Sequence, residues 1–277
     1  MQSYLSILTQ ILKNGISSND RTGVGTIRIP GATFQHSMEN GFPLLTTKKM
    51  AFKSIRVELE GFIKGITDKQ WYKERGCTIW NEWCNPQKIS FASESERKQK
   101  QLKENDLGKI YGYQWNNFNS SKYNQLQTII DDLKNNPNSR RMVCSAWNPC
   151  ELNEMALPPC HLLWQVTVIN NTLHLFWYQR SVDTFFGLPF NIASYALLLH
   201  LLAKISGYKE GVLTGFLADV HLYNNTIDLA KEQITRTPLQ LPTIKTQHID
   251  TIYDWSWDKT KLINYNSHEA IKGQIAV

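Results

Sequence analysis

The sequence is sparing in cysteine and charge, and it has no long apolar run. Its five cysteines, Cys77, Cys84, Cys144, Cys150 and Cys160, form no C-x-x-C pair and no paired Cys/His spacing, so the pattern argues against a structural zinc site. An odd thiol count, with no secretory leader pattern in MQSYLSILTQILKNG, predicts free thiols, a reducing compartment and a cytoplasmic location. No stretch reaches the ~18 consecutive apolar residues of a membrane span. The most apolar segment, 192–205, still contains Ser194, His200 and Lys204. With 19% charged and 42% hydrophobic residues, the chain is neither disordered nor a coiled coil. It shows no internal repeat, no linker rich in Pro, Gly or Ser, and no phosphate-cradling glycine loop: Gly23-Val24-Gly25 lacks the third glycine of a dinucleotide fingerprint.

What is present fits one α+β domain over residues 1–277, with a large mixed β-sheet and flanking helices, and a polar insertion at about 86–105. Apolar spacing predicts helices over 4–12, stopped at Gly15, over 54–64, 123–134, 192–205 and 226–234. Strands are predicted over 26–29, 32–35, 142–147, 162–168, 173–178 and 217–222, with a hairpin turn at Asn170-Asn171. Thirty Lys and Arg against 24 Asp and Glu give +6, which favours an anionic partner without saying which. A nucleic-acid reader would need a recognised motif or basic residues gathered with aromatic platforms, and neither is evident.

Several residues could carry chemistry. Cys160 follows Pro158-Pro159 at a strand edge; on local grounds it reads first as a small buried hydrophobe, with a nucleophilic thiol the rarer alternative. Arg21, Arg140, Arg141 and Arg180, the last beside Ser181, each present a planar fork suited to phosphate or to a salt bridge. Glu58 lies on an apolar-faced helix, where it is either ordinary surface or a carboxyl tuned for proton transfer. Asn191 could cap a helix or read a ring edge. Asp219, His221 and Tyr223 alternate along one strand face and could line a cavity or hold a metal. Trp80 is either core or a stacking platform.

In order along the chain, Asn19-Asp20-Arg21-Thr22-Gly23, Thr46-Thr47-Lys48-Lys49, Ser139-Arg140-Arg141, Ser145-Ala146-Trp147-Asn148, Ala156-Leu157-Pro158-Pro159-Cys160-His161, Tyr178-Gln179-Arg180-Ser181, Gly187 to Tyr195, and Asp219-Val220-His221-Leu222-Tyr223 closely resemble the thymidylate synthase family. The resemblance implies a homodimer with shared active sites that acts on dUMP and 5,10-methylenetetrahydrofolate, with no metal and no requirement for membrane or nucleic acid. It makes Cys160 the nucleophile at uracil C6. Arg21, Arg180 and Ser181, with Arg140 and Arg141 from the partner chain, would clamp the phosphate. Positive charge there would favour the Cys160 thiolate.

The same resemblance gives Asn191 the uracil edge, and His221 and Tyr223 the ribose. Glu58, His161 and Tyr111 would manage protons, and Asp183 would serve both catalysis and ligand binding. Lys48, Ile79, Trp80, Leu157, Gly187, Phe190, Ala276 and Val277 would contact the folate, the Val277 carboxylate closing the site. The sequence departs from the usual synthase pattern at Glu60-Gly61, Asn81, Lys109 and Ala218. A dUMP hydroxymethylase shares the fold and the early chemistry, and is the alternative.

Overall fold

The computed structural model describes residues 1–83 and 105–276; Cys84, the polar insertion as far as residue 104, and Val277 lie outside the described residues. The chain opens with α1 (Gln2–Asn14), which buries Tyr4, Leu5, Ile7, Leu8 and Ile11 on one face. Gly15 ends it in an extended conformation (φ −66°). Glycine is needed there because a Cβ would lie 2.5 Å from the Ile11 carbonyl oxygen.

Seven strands build the main sheet: β1 (Ile16–Ser18), β2 (Thr26–Ile29), β3 (Ala32–Ser37), β4 (Val143–Ser145), β5 (His161–Ile169), β6 (Thr172–Asp183) and β7 (Lys209–Tyr223). Their order is β1-β2-β7-β6-β5-β4, with β3 also on β7. Both β2 and β3 run antiparallel along β7, with Ile27 opposite Leu222 and Phe34 opposite Gly215, so Pro30-Gly31 is a jog in one sheet edge. The β5–β6 hairpin turns at Asn170 and Asn171, both at positive φ (48° and 58°), as a two-residue turn between twisted strands requires.

The sequence pattern predicts no βαβ alternation, and one unit interrupts the antiparallel order. After β6 the chain forms α6 (Gly187–Ser206) and returns as β7, parallel to β6. Strand β7 starts eight residues before the predicted 217, because Lys209, Glu210, Gly211 and Gly215 mask its pattern. Gly215 has a packing reason: a Cβ would meet the Trp177 ring at 2.4 Å. Helix α6 is long and apolar enough to cross a membrane by length and composition, but leucines 197, 198, 199, 201 and 202 are fully buried, which makes it the core helix. One sheet face buries Trp164, Val166, Leu173, Leu175, Trp177 and Leu213. The other leaves Tyr178 and Phe216 at 39% and 46% exposure.

The remaining elements are α2 (Phe52–Ile63), α3 (Lys69–Glu74), α4 (Tyr111–Asn116), α5 (Gln125–Asn135), α7 (Ile227–Thr235), and a hairpin of β8 (Thr243–Thr246) and β9 (Thr260–Ile263). The unusual Glu60-Gly61 pair on α2 is a packing device. Glu60 accepts from Lys64 Nζ at 2.7 Å and from the Trp257 backbone N–H at 2.8 Å. At Gly61 a Cβ would sit 2.2 Å from the Tyr72 hydroxyl.

Candidate active site

The parallel register sets Ser181 opposite Asp219 and Asp183 opposite His221, while β5 begins beside β6 with His161 opposite Gln179. The carboxyl ends of β6 and β7 and the start of β5 therefore meet at one sheet end, where α/β crevices form. Cys160 is half-buried there. Its backbone N–H donates to Tyr111 Oη at 2.8 Å, and its carbonyl accepts from the Arg180 N–H at 2.8 Å. The Arg180 side chain grips the approach to the thiol, with Nε on the Pro159 carbonyl at 2.9 Å and Nη2 on the Pro158 carbonyl at 3.1 Å.

Burial pushes the Cys160 thiol above its ordinary range; Arg180 and Tyr111 oppose this, and Asp183 adds to it. The expected effect of positive charge is therefore present but outweighed within a single chain.

Beside the thiol is an aromatic box. His161 stacks on Tyr111 at 4.1 Å (19°), and Tyr111 stacks on Phe62 at 4.9 Å. Trp80 meets Phe62 and Tyr111 edge-on at 6.3 and 6.1 Å. Burial drives the His161 pKa down to about 3, so the ring is neutral at physiological pH. Its Nδ1 lies 2.6 Å from the Tyr195 hydroxyl. Burial also raises Glu58 to about 7, moderated by the Trp80 indole, although that N–H closes no hydrogen bond of normal geometry among the described residues. Glu58 thus holds a proton near neutrality, and its field reaches Tyr111 and Tyr195.

On the opposite side, Asp183 Oδ1 accepts the Phe185 and Phe186 N–H groups at 3.0 and 3.2 Å, just ahead of α6. Burial raises the Asp183 carboxyl, while Phe186, His221, Phe185 and Lys48 pull it down. Because α6 starts at Gly187, Asn191 lies inside the helix and does not cap it. The Trp177 indole N–H, a donor only, points at Gln179 Oε1 at 3.2 Å. Gln179 Nε2 therefore donates to Asn191 Oδ1 at 3.1 Å. That relay leaves Asn191 Nδ2 without a hydrogen-bond partner among the described residues.

Arg21 stands exposed on a loop tied down by Asp20, whose carboxylate takes Thr22 N–H at 3.0 Å, Thr22 Oγ1 at 2.6 Å and Gly25 N–H at 2.8 Å. Asn224, next after β7, holds that loop through the Val24 carbonyl at 3.1 Å. Tyr223 is raised to about 12, first by burial and then by Asp183 and Asp20; Arg21 lowers it, and Cys160 adds a small further rise. The hydroxyl thus feels both the loop and the thiol. His221 meets Tyr223 edge-on at 5.3 Å.

Two predicted residues lie elsewhere. Arg140 and Arg141 are exposed ahead of β4, and β4 pairs with the middle of β5, Val143 opposite Gln165. Met142 joins Val166, which sets the two arginines roughly 20 Å along β5 from Cys160 at strand rise. Lys48 is buried, its Nζ 2.5 Å from the Phe185 carbonyl and 3.6 Å from that ring's centre. Burial lowers it to about 7, against the pull of Asp183. Ile79, Leu157 and Phe190 are partly buried against the core. The segment before half-buried Ala276 lies against Phe186 and α7, with Gly273 near Phe186 and Asn225 Nδ2 on the Gln274 carbonyl at 3.0 Å. Among the described residues no group of three His, Cys, Asp or Glu could hold a metal ion.

A family model described as thymidylate synthase matches residues 2–277. The chain belongs to the thymidylate synthase family. Thymidylate synthase family membership makes it an enzyme that methylates or hydroxymethylates dUMP with a folate co-substrate. The residues fit a flat heteroaromatic ligand of that kind: the rings of Trp80, Tyr111 and His161 pack together beside Cys160, and Leu157 and Phe190 are partly buried apolar side chains.

Sequence reasoning passed over Tyr195 and Gln179 as individual contributors. Tyr195 lies four residues after Asn191 on α6, and this spacing places both on one helix face. Gln179 could be found two residues from both Trp177 and Ser181 on β6.

Proposed function

We propose that this enzyme is a thymidylate synthase, converting dUMP to dTMP with 5,10-methylenetetrahydrofolate. The observation that carries the reading is the placement of Cys160 against an aromatic box closed by Trp80, which is 3% exposed. When bound, the folate supplies the one-carbon unit and the hydride, and dihydrofolate leaves.

Cys160 adds through sulfur to uracil C6, which makes C5 nucleophilic. Asn191 Nδ2 donates to O4, where charge develops, while its Oδ1 faces the N3–H. Glu58, carrying a proton near neutral pH, supplies it toward O4, and neutral His161 with Tyr195 keeps that region free of a fixed positive charge. Tyr111 holds the Cys160 backbone and borders the path of the C5 proton. Arg21, Arg180 and Ser181 take the phosphate, and His221 and Tyr223 take the ribose. Asp183 faces the folate ring, and Ile79, Trp80, Leu157 and Phe190, with the tail at Ala276, exclude water.

The enzyme acts as a homodimer in this reading. Arg140 and Arg141 are too far along β5 to serve their own Cys160, and a second copy on the open sheet face bearing Tyr178 and Phe216 would bring them to it. The hydroxymethylase alternative shares every step up to the loss of the folate and differs in admitting water afterwards. Chromatography of the nucleotide product tests the choice: dTMP is expected, and 5-hydroxymethyl-dUMP as the main product would overturn it.

A further inference from the structure

Lys109 lies two residues before Tyr111, and Glu151 lies nine before Cys160. The two backbones that carry Tyr111 and Cys160 are zipped together around this pair. Ala156 N–H donates to the Leu107 carbonyl at 2.9 Å, and Lys109 N–H to the Glu154 carbonyl at 3.0 Å. Gly108 sits between them at φ +71°, where a Cβ would fall 1.8 Å from the Glu154 carbonyl oxygen.

The side chains close the same seam. Lys109 Nζ reaches Glu151 Oε1 at 2.9 Å and Glu154 Oε2 at 2.8 Å. Glu151 Oε1 also accepts from Ser120 Oγ at 2.6 Å, and Oε2 from Gln114 and Asn148, both at 2.9 Å. Gln114 is on α4 with Tyr111 and also donates to the Lys109 carbonyl at 3.1 Å. Glu151 is 5% exposed, so its carboxylate is a satisfied hub rather than a surface ion pair, and removing a donor from such a hub is costly. Burial works to raise this carboxyl, yet Ser120, Gln114 and Lys109 hold it at about 2.

We infer that Lys109, through Glu151, is a positioning residue that fixes α4 against the 148–160 segment and so sets the Tyr111 hydroxyl on the Cys160 backbone N–H. The inference rests on the reading of Cys160 as the nucleophile. It assigns a role to a lysine that touches neither the thiol nor any proposed ligand contact.

Alkylation of the half-buried Cys160 by iodoacetamide tests it without substrate, with the modified peptide identified by mass spectrometry because Cys150 is exposed. The variants are Lys109→Met, Lys109→Arg, Tyr111→Phe and the Lys109→Met/Tyr111→Phe pair. Lys109→Met and Tyr111→Phe should each change the rate by about threefold or more in the same direction, and the pair no further than Tyr111→Phe alone, because coupled groups are non-additive. Lys109→Arg should stay within about twofold of wild type, since a guanidinium can bridge both carboxylates.

A wild-type rate in Lys109→Met, no effect of Tyr111→Phe, or multiplying effects in the pair would each overturn the inference. If Lys109→Met fails to fold, Ser120→Ala takes its place, removing one hub donor. It must shift the rate in the direction of Tyr111→Phe, and an unchanged rate refutes the role. In turnover, Lys109→Met should lower kcat about tenfold with KM for dUMP within about twofold. A wild-type enzyme that does not turn over dUMP sinks the proposed function and leaves the alkylation test standing.

Discussion

Replacing Glu58 by glutamine separates what the carboxyl does for catalysis from what it costs the fold. Burial lifts its pKa from the ordinary 4.5 to about 7. A carboxyl whose folded pKa lies above its unfolded value binds its proton more tightly when folded. Wild-type stability is therefore unaffected by this group below about pH 4.5, declines between the two pKa values, and carries the full penalty above about 7. The separation corresponds to about 3 kcal/mol. Glu58→Gln keeps the shape and cannot ionise, so it should match wild type near pH 4.5 and exceed it by up to about 3 kcal/mol near pH 8. Urea unfolding at both pH values and one protein concentration measures the difference. An equal offset at both values, or a less stable variant at pH 8, would refute the reasoning. Loss of the proton carrier should meanwhile lower kcat by about a hundredfold or more.

Cys160→Ser should abolish turnover yet leave dUMP binding measurable by calorimetry, because the phosphate and ribose contacts remain; substantial residual turnover would contradict a covalent route. Asn191→Asp should weaken the preference for dUMP over dCMP in equilibrium binding, and unchanged discrimination would remove Asn191 from the ring-reading role. Trp80→Ala should divert product toward 5-hydroxymethyl-dUMP by admitting water, and should cost about 3 kcal/mol or more of stability for a buried indole; product ratios that stay fixed would count against Trp80 as the water barrier. Mixed Arg141→Ala and Cys160→Ser homodimers should regain activity on subunit exchange, and no recovery would argue against shared sites.

The strongly periodic parts of the fold could be read from residues alone. The α1 stripe, the Asn170-Asn171 turn and the core of β5 all follow from local pattern. The remainder depends on tertiary contacts. The first half of β7 has glycines because Trp177 needs the space at Gly215, and no local rule announces that. Asn191 looks like a helix cap until Asp183, four residues ahead of α6, takes the Phe185 and Phe186 N–H groups that lead into the helix.

In the site, Cys160 on its own favours the bland reading; only the order of motifs along the chain singled it out. Its surroundings supply the physical content: a neutral His161, a Glu58 carboxyl that burial raises to about 7, and the Tyr111 hydroxyl on its backbone. Lys109 was visible only as a departure from the usual pattern. Its meaning came from Glu151, forty-two residues away in sequence.

The most direct test of the account is the mass of the nucleotide made from dUMP when the folate carries deuterium at its hydride-donating carbon. Reductive methylation at the Cys160 adduct predicts dTMP whose methyl group contains that deuterium. A product that gains an oxygen and no deuterium would contradict it.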